Sequence, residues 1–392
     1  MSHGARVPHV AMLLRNPYTH DSRVEKEAAT LRDAGYSVTI VADAAPGLPE
    51  REERDGARII RIPRRLGRVP GLRFALHDRT LAGVLASLRP DILHAHDSNA
   101  LLPVGLAARR IHRPFVYDAH ELWLHRPRRG HARVYHEGSR AFYAGLQRWL
   151  VPRAAAVFTV SEPIAAHLAR VYRRTDVTLV PNYPVLAKRP TPAALRELVG
   201  AALPSDAPIV LHLGGMMAGR GLEQLVLALR GVPGAHLVLL GGGDAAPARS
   251  VAAGAGVGMR LHVVPPVPPS QVEAHAAAAD VGVVTTQPIG LNNRYSLPNK
   301  LFQYMAAGLP VLATDFPQIR EVVVGSGAGL VADTRSPERI ADALSSLLAD
   351  RDAAREMGER GRAAVEARYN WSTSAAALLG AYERVAARLP SG

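Results

Sequence analysis

Lysine is scarce in this chain: Lys26, Lys188 and Lys300 are all it has. The last stands in "NRYSLPNKLFQYMAAGLPV", Asn293 to Val311. Ser296 suits a helix N-cap and Pro298 a first turn, where a missing N–H costs little. Leu301, Phe302 and Met305 supply an apolar face; Gly308 and Pro310 stop the helix. Its head, Ser296, Leu297, Pro298, Asn299 and Lys300, offers free amides and one cation, the chemistry of an anion seat. No carboxylate lies in the stretch.

Two glycine turns add to that chemistry. In "LHLGGMMAGRGLEQLVLALRG" a strand ends at Gly214-Gly215, and Arg220 precedes a helix. In "LVLLGGGDAAPARS" a strand ends at Gly241–Gly243, with Gly242 at the centre. Glycines let backbone approach a ligand, and an arginine can fork onto phosphate. The G-x-G-x-x-G spacing is not met, so this is no dinucleotide fingerprint. An ordinary strand-to-helix turn with a solvated arginine is the plainer alternative.

Histidines and acids gather in the first half, in "DILHAHDSN" and "FVYDAHELW". His94 and His96 alternate on a strand and so share a face. Asp97 and His120 stand at strand ends, with Glu121 beside His120. Such groups bind divalent ions, but no cysteine and no H-E-x-x-H pattern supports a metal, and neither a metal nor a cofactor is expected. The loop "RNPYTHDSRVEKE" places Arg15, Asn16, His20, Asp21 and Arg23 before a helix. There is no Gly-x-Ser-x-Gly elbow and no Walker A loop.

These groups need elements to hold them. Short apolar strands alternate with helical patterns throughout: His9–Leu14, Ser37–Val41, Arg58–Ile62, Asp91–His94, Phe115–Tyr117, Val157–Val160 and Val177–Val180 in the first half. Ile209–Leu213, His236–Leu240, Arg260–Val264, Val281–Val284, Val311–Ala313 and Gly329–Val331 follow. Continuous apolar strands with helical crossovers mean parallel sheets covered on both faces. Ser22 and Glu25 form a capping box for the helix from Arg23, and Gly35 ends it. Between the two series, residues 181–208 hold six prolines and read as a connector. The expected division is 1–185, a connector 186–206, 207–371, and a C-terminal helix at about 372–392 that packs back on the first domain.

The chain has 392 residues and a net charge of +13. Residues 1–185 hold 28 Lys and Arg against 17 Asp and Glu, an excess of 11. A phosphate-bearing partner or an anionic membrane surface fits that balance, as does a plain abundance of arginine. No apolar run is long enough to span a bilayer, none resembles a signal peptide, and no cysteine is present, so a cytoplasmic protein is expected. No nucleic-acid partner is assigned.

Together these pieces resemble the family 4 glycosyltransferases. "NPYTHDSRVEKEAATLRDAGYSVTIVA", "PDILHAHD", "VYDAHEL", "VSEPIAAHL", "VPNYP", "LHLGGMMAGRGLEQLVLAL", "AAAADVGVV", "MAAGLPVLATDFPQIREVV", "GAGLVAD" and "EARYNWS" follow the family's order. The resemblance implies the GT-B fold: two Rossmann-like doubly wound parallel-sheet domains facing a cleft. It implies a metal-independent, retaining transfer from a nucleotide diphosphate sugar, with a UDP-sugar the first candidate. The donor would meet Gly214, Gly215, Arg220, Gly242, Tyr295, Ser296, Leu297, Pro298, Asn299, Lys300, Gln303 and Glu321. The acceptor would meet Asn16, His20, Asp21, Arg23, His96 and Glu121. Arg220 and Lys300 would hold the diphosphate, with His120 and Asp97 bordering the reacting carbon.

The sequence departs from the family at four positions. The loop arginine falls on Gly215, and the loop lysine on Arg220. The pair of glutamates falls on Tyr295 and Gln303. A catalytically silent sugar-nucleotide-binding subunit, or a nucleotide-sugar epimerase, is the alternative. "RIPRRLGRVPGLR" and "HRPRRGHARVYHEGSRAFYAGLQRW" mix arginines with apolar residues. They suit peripheral contact with an inner membrane face and a lipid-linked or anionic acceptor.

Overall fold

In a computed structural model, residues 7–64, 70–126, 133–193 and 195–389 are described. The chain forms two compact units, residues 1–182 with 374–392, and residues 183–373. The cuts fall within a few residues of the pattern breaks in the sequence. The proline-rich connector is not a free strap. Tyr183, Leu195, Leu203 and Ala207 enter the apolar core of the second unit, and Arg362 donates to the Ala187 carbonyl at 2.7 Å.

The first unit is an eight-stranded sheet. Its strands are β1 His9–Leu13, β2 Ser37–Asp43, β3 Arg51–Arg54, β4 Ala57–Ile62, β5 Ile92–His96, β6 Phe115–Ala119, β7 Ala156–Thr159 and β8 Val177–Leu179. The order is β3-β4-β2-β1-β5-β6-β7-β8. All pairs are parallel except β3 with β4. The sequence pattern had missed β3, because "REER" has no apolar period. It is an edge strand whose charges discourage edge-to-edge pairing. Asp55-Gly56, both at positive φ, form its turn.

The second unit is a six-stranded parallel sheet: β9 Ile209–Leu213, β10 His236–Leu240, β11 Leu261–Val264, β12 Val281–Val284, β13 Val311–Thr314 and β14 Gly329–Ala332. The order is β11-β10-β9-β12-β13-β14. Leu211 and Leu213 pack with Leu301 and Tyr304 on one face. Val210 and Leu239 pack with Leu222, Leu225 and Ile340 on the other.

Each sheet reverses its winding once. After β1 the chain winds out to β4 on one side, then returns to β5 on the other. After β9 it winds to β11, then crosses to β12. Loops leaving β1 and β5, and loops leaving β9 and β12, therefore diverge. In open α/β sheets such divergence opens a crevice at the carboxyl ends of the strands.

Candidate functional site

At the β9–β12 reversal the two glycine turns zip together. Gly214 N donates to Leu240 O at 2.9 Å, and Met216 N to Gly242 O at 2.7 Å. Gly241 has φ +155°, and a Cβ there would lie 2.2 Å from the Gly214 carbonyl. Only glycine allows this approach. Gly214, at φ +95°, turns the chain off the end of β9. Gly215 and Gly242 lie beside these positions without positive φ. The Arg220 carbonyl accepts from Thr285 Oγ1 at 2.7 Å, which ties the loop after β9 to the loop after β12.

The helix Asn299–Ala306 is pinned beneath this edge by Tyr304. The Tyr304 hydroxyl donates to Leu211 O at 3.0 Å and accepts from Leu213 N at 2.8 Å. A Cβ at residue 282 would meet the Tyr304 ring at 2.4 Å, so Gly282 makes room for it. One turn earlier, Lys300 Nζ lies 3.0 Å from His212 Nε2. His212 is buried, and its Nδ1 has no partner. Burial, then Arg220, push the Lys300 ammonium well below its ordinary pKa. Burial, then Lys300 and Arg220, do the same to His212. Among the described residues no carboxylate bonds to either.

The capping of this helix differs from expectation. Pro298 takes the N-cap position, one before the first turn. Ser296 caps nothing; its hydroxyl donates back to Asn293 O at 3.0 Å and closes the short helix Leu291–Tyr295. Leu297 packs against the apolar core, and Tyr295 and Gln303 are half-buried. Asn299 is exposed. Glu321 is exposed on the helix Pro317–Val323, accepting from Gln318 at 3.2 Å and lying 4.0 Å from Arg368.

At the β1–β5 reversal a second set of charged groups collects. β5 and β6 pair in a register that sets His96 beside Asp118. Arg23 forks Asp118, Nε to Oδ2 and Nη2 to Oδ1, both at 2.7 Å. Its third nitrogen donates to Val180 O. His120 Nε2 lies 2.9 Å from Asp118 Oδ2, and His120 Nδ1 lies 3.6 Å from Asp97 Oδ2. Both ring nitrogens thus face carboxylates. Burial would depress His120, but Asp97 and Asp118 outweigh it and raise its pKa to about 9. Burial would raise Asp118, but Arg23 and then His120 hold it well below the carboxylate range. Asp97 has φ 64° and ψ 170°, a strained backbone of the kind that clusters at functional sites.

Arg23 and His96 are buried and committed inside this cluster. Glu121 pairs with Arg126, whose guanidinium lies 3.5 Å over the Trp123 ring. Asn16 Nδ2 donates to Asp21 at 2.9 Å. Asp21, not Ser22, caps the helix Ser22–Asp33, accepting from Val24 N at 3.3 Å. Glu25 reaches back to Asp21 N at 3.4 Å, so the capping box is shifted by one residue. His20 is exposed. In the two arginine-rich stretches, residues 65–69 and 127–132 lie outside the described residues.

Glu27, His94, His96 and Asp118 bring potential metal-binding atoms within 4.8 Å of one another. Both Asp118 oxygens already face the Arg23 fork, so a cation there would sit against a guanidinium. The residues that sequence reasoning had passed over are Glu27, Asp118, His212, Tyr304 and Tyr382, whose hydroxyl lies 2.8 Å from His94 Nδ1. Arg23 and Glu27 at i and i+4 were a visible pair. His212 gave no signal, since a histidine inside an apolar strand reads as core.

Residues 22–183 match the profile described as Glycosyltransferase Family 4, and residues 207–350 that described as Glycosyl transferases group 1. A relative from Mycobacterium tuberculosis is 37% identical over 196 residues, covering 48% of this chain and 51% of its own. It is a GDP-mannose-dependent alpha-(1-6)-phosphatidylinositol monomannoside mannosyltransferase. The match thus spans about half the length of that relative. A phosphatidyl-myo-inositol mannosyltransferase of Mycolicibacterium smegmatis is 28% identical over 94% of this chain and 92% of its own. Among solved structures, sucrose-phosphate synthase of Thermosynechococcus elongatus superposes with a TM-score of 0.81 at 21% identity. That superposition covers 97% of this chain and 99% of the synthase. HepE of Anabaena, solved with UDP and glucose, gives 0.75 at 15% identity, covering 96% and 99%. The fold is GT-B.

Proposed function

Because the chain belongs to the family 4 glycosyltransferases, we propose that it moves a sugar from a nucleoside diphosphate sugar to an acceptor alcohol, with retention at the anomeric carbon. The observation that carries this reading is Lys300. A half-buried ammonium stands over the end of β9 with a neutral histidine as its partner and, among the described residues, no carboxylate bonded to it. Such a cation suits a diphosphate, which supplies the missing negative charge.

In the proposed reaction the bond from the anomeric carbon to the diphosphate oxygen breaks. The acceptor oxygen bonds to that carbon on the same face, and its proton passes to the leaving diphosphate. Lys300, Arg220 and the amide of Gly215 offset the charge that develops on the leaving group. His120 faces carboxylates at both ring nitrogens. An imidazolium held this way has both N–H groups turned to Asp118 and Asp97 and does not remove a proton; it borders the reacting carbon as a fixed positive charge. Gln303, one turn beyond Lys300, can both donate to and accept from a ribose diol.

UDP-sugars remain the first candidates for the donor, and the relative named for GDP-mannose brings that donor into the same panel. The acceptor is proposed to be lipid-linked or anionic, reached by peripheral contact at the inner membrane face. On the helix Arg133–Leu150, Phe142 and Trp149 are exposed on the same element as Arg140 and Arg148, which supports that contact. Among the described residues no helix is long and apolar enough to cross a membrane.

The test is hydrolysis or transfer from UDP-glucose, UDP-N-acetylglucosamine and GDP-mannose, by the wild type and Lys300→Ala. Losing one charge-assisted contact is worth about 1.5–3 kcal/mol, a fall of roughly 10- to 100-fold in kcat/KM. Turnover of the variant equal to the wild type sinks the diphosphate role. The absence of glutamate at Tyr295 and Gln303 favours one rival, a silent binding subunit. Donor binding by calorimetry without turnover would select it. An altered sugar nucleotide formed without any acceptor would select an epimerase.

A further inference from the structure

Lys300 reaches its partner across the top of a strand. By strand alternation His212 shares the face of Val210, which packs with Leu222 and Leu225. The helix Asn299–Ala306 lies on the opposite face, with Leu211 and Leu213. The Lys300 side chain therefore crosses the end of β9 over Gly214. Its Cε and Nζ lie 3.9 and 4.0 Å from where a Cβ at residue 214 would stand. It ends 3.0 Å from His212 Nε2.

With Lys300 protonated, its ammonium only donates, so Nε2 accepts and the ring proton sits on Nδ1. Nδ1 is buried with no partner. His212 thus has one recorded task, holding Lys300, and performs it uncharged. A carboxylate at the same place would hold the ammonium more strongly and also cancel its charge. The ammonium keeps two further N–H donors.

We propose that His212 is a positioning residue of the diphosphate seat, fixing the Lys300 ammonium over β9 while leaving its charge for the donor to neutralise. This rests on the reading of that seat given above. Among the described residues the groups acting on Lys300 are Arg220, which depresses its pKa, and His212, its hydrogen-bond partner, and no acid is bonded to it. A diphosphate arriving there restores full protonation of Lys300, so binding takes up protons at alkaline pH.

The experiment is calorimetry of the full chain with UDP, GDP and inorganic pyrophosphate. It compares the wild type with His212→Gln, His212→Glu and His212→Leu at pH 8, in buffers of different ionisation enthalpy. Gln and Glu have the same shape and differ in charge. Gln keeps an acceptor for Lys300, and its affinity is expected within about threefold of wild type. Leu removes the anchor and is expected to weaken binding roughly tenfold. Glu holds Lys300 but cancels it. Affinity is expected to fall by about 100-fold with the melting temperature kept, and proton uptake is expected to vanish. A merely structural role would leave the Gln and Glu variants alike. Glu and Leu variants binding as tightly as wild type overturn the role of His212 alone. If the Glu variant does not fold, the Leu variant decides. A wild type that binds none of the three probes overturns the diphosphate seat and this inference together.

Discussion

The two sheet reversals hold opposite kinds of buried charge. In the first unit, Arg23 and His120 face Asp118 and Asp97 at hydrogen-bond or ion-pair distance. In the second, Lys300 faces His212, Arg220 presses on both, and among the described residues no acid is bonded to either base. Burying charge is expensive in both places. The first unit offsets it from within. The second leaves it standing, and that open offset is what the proposed diphosphate would supply. The contrast teaches that a cluster of charged residues is not a ligand site by its charge alone; what matters is which charges the fold has already answered.

The sharpest way to break the contrast is to remove one partner from each cluster. Asp118→Asn leaves Arg23 buried against a group that no longer pairs with it, and takes the closest carboxylate from His120. Breaking such a pair is expected to lower stability by about 3–5 kcal/mol, read from urea denaturation. Lys300→Met has no internal ion pair to orphan, and in the same measurement it should lose no stability. A loss under about 1 kcal/mol for Asp118→Asn, or an equal loss for both, would erase the distinction.

A smaller effect tests whether the first cluster is as balanced as it looks. Glu27 is fully buried, and neither of its oxygens has a hydrogen bond, although Arg23 Nε lies 3.0 Å away. Burial and then the Asp118 charge raise its pKa, while Arg23 and His120 pull it part of the way back. A folded pKa above the unfolded one means that the fold retains a proton the unfolded chain releases. Glu27 therefore weakens the fold as pH rises above its unfolded value near 4.5, and the weakening levels off above the folded pKa. Glu27→Gln removes this titration. The variant should match the wild type near pH 5 and be more stable by about 1 kcal/mol or more at pH 8. A wild type more stable than the variant at pH 8 would mean that Glu27 is ionised against Arg23 and that the cluster carries an extra negative charge.

The same contrast explains what could be read from the sequence. Strands, glycine turns and the Lys300 helix are local patterns, and the strands lie within a few residues of expectation. The one missed strand, β3, has charges where a core strand has apolar residues. Helix caps were one or two residues off, because Ser22 and Ser296 are good caps whose places Asp21 and Pro298 took. The proposed anion seat rests on a local signal, scarcity: one lysine, two glycine turns and no acid in Asn293–Val311. The self-paired cluster was not legible. Its bonds join residues 95 apart, Arg23 to Asp118, and 288 apart, His94 to Tyr382. No periodicity records which of several buried acids a given arginine will meet.

The smallest expected effect sharpens the contrast from inside the second unit. Gln303 stands one turn beyond Lys300, half-buried, with no side-chain hydrogen bond among the described residues. Gln303→Glu places a carboxylate on the helix that lacks one, and the two consequences oppose each other. A carboxylate accepts from both hydroxyls of a ribose diol, which favours a nucleotide. It also lies near enough to Lys300 to offset part of the charge that draws a diphosphate. Inorganic pyrophosphate has no ribose and feels the second effect alone. Its affinity should fall about threefold, roughly 0.6 kcal/mol, while UDP and GDP change by less. Equal falls for all three would mean that Gln303 does not touch the ribose. No fall for pyrophosphate would mean that the missing carboxylate is irrelevant to the seat, and that the uncompensated charge of Lys300 is not what the second unit offers its ligand.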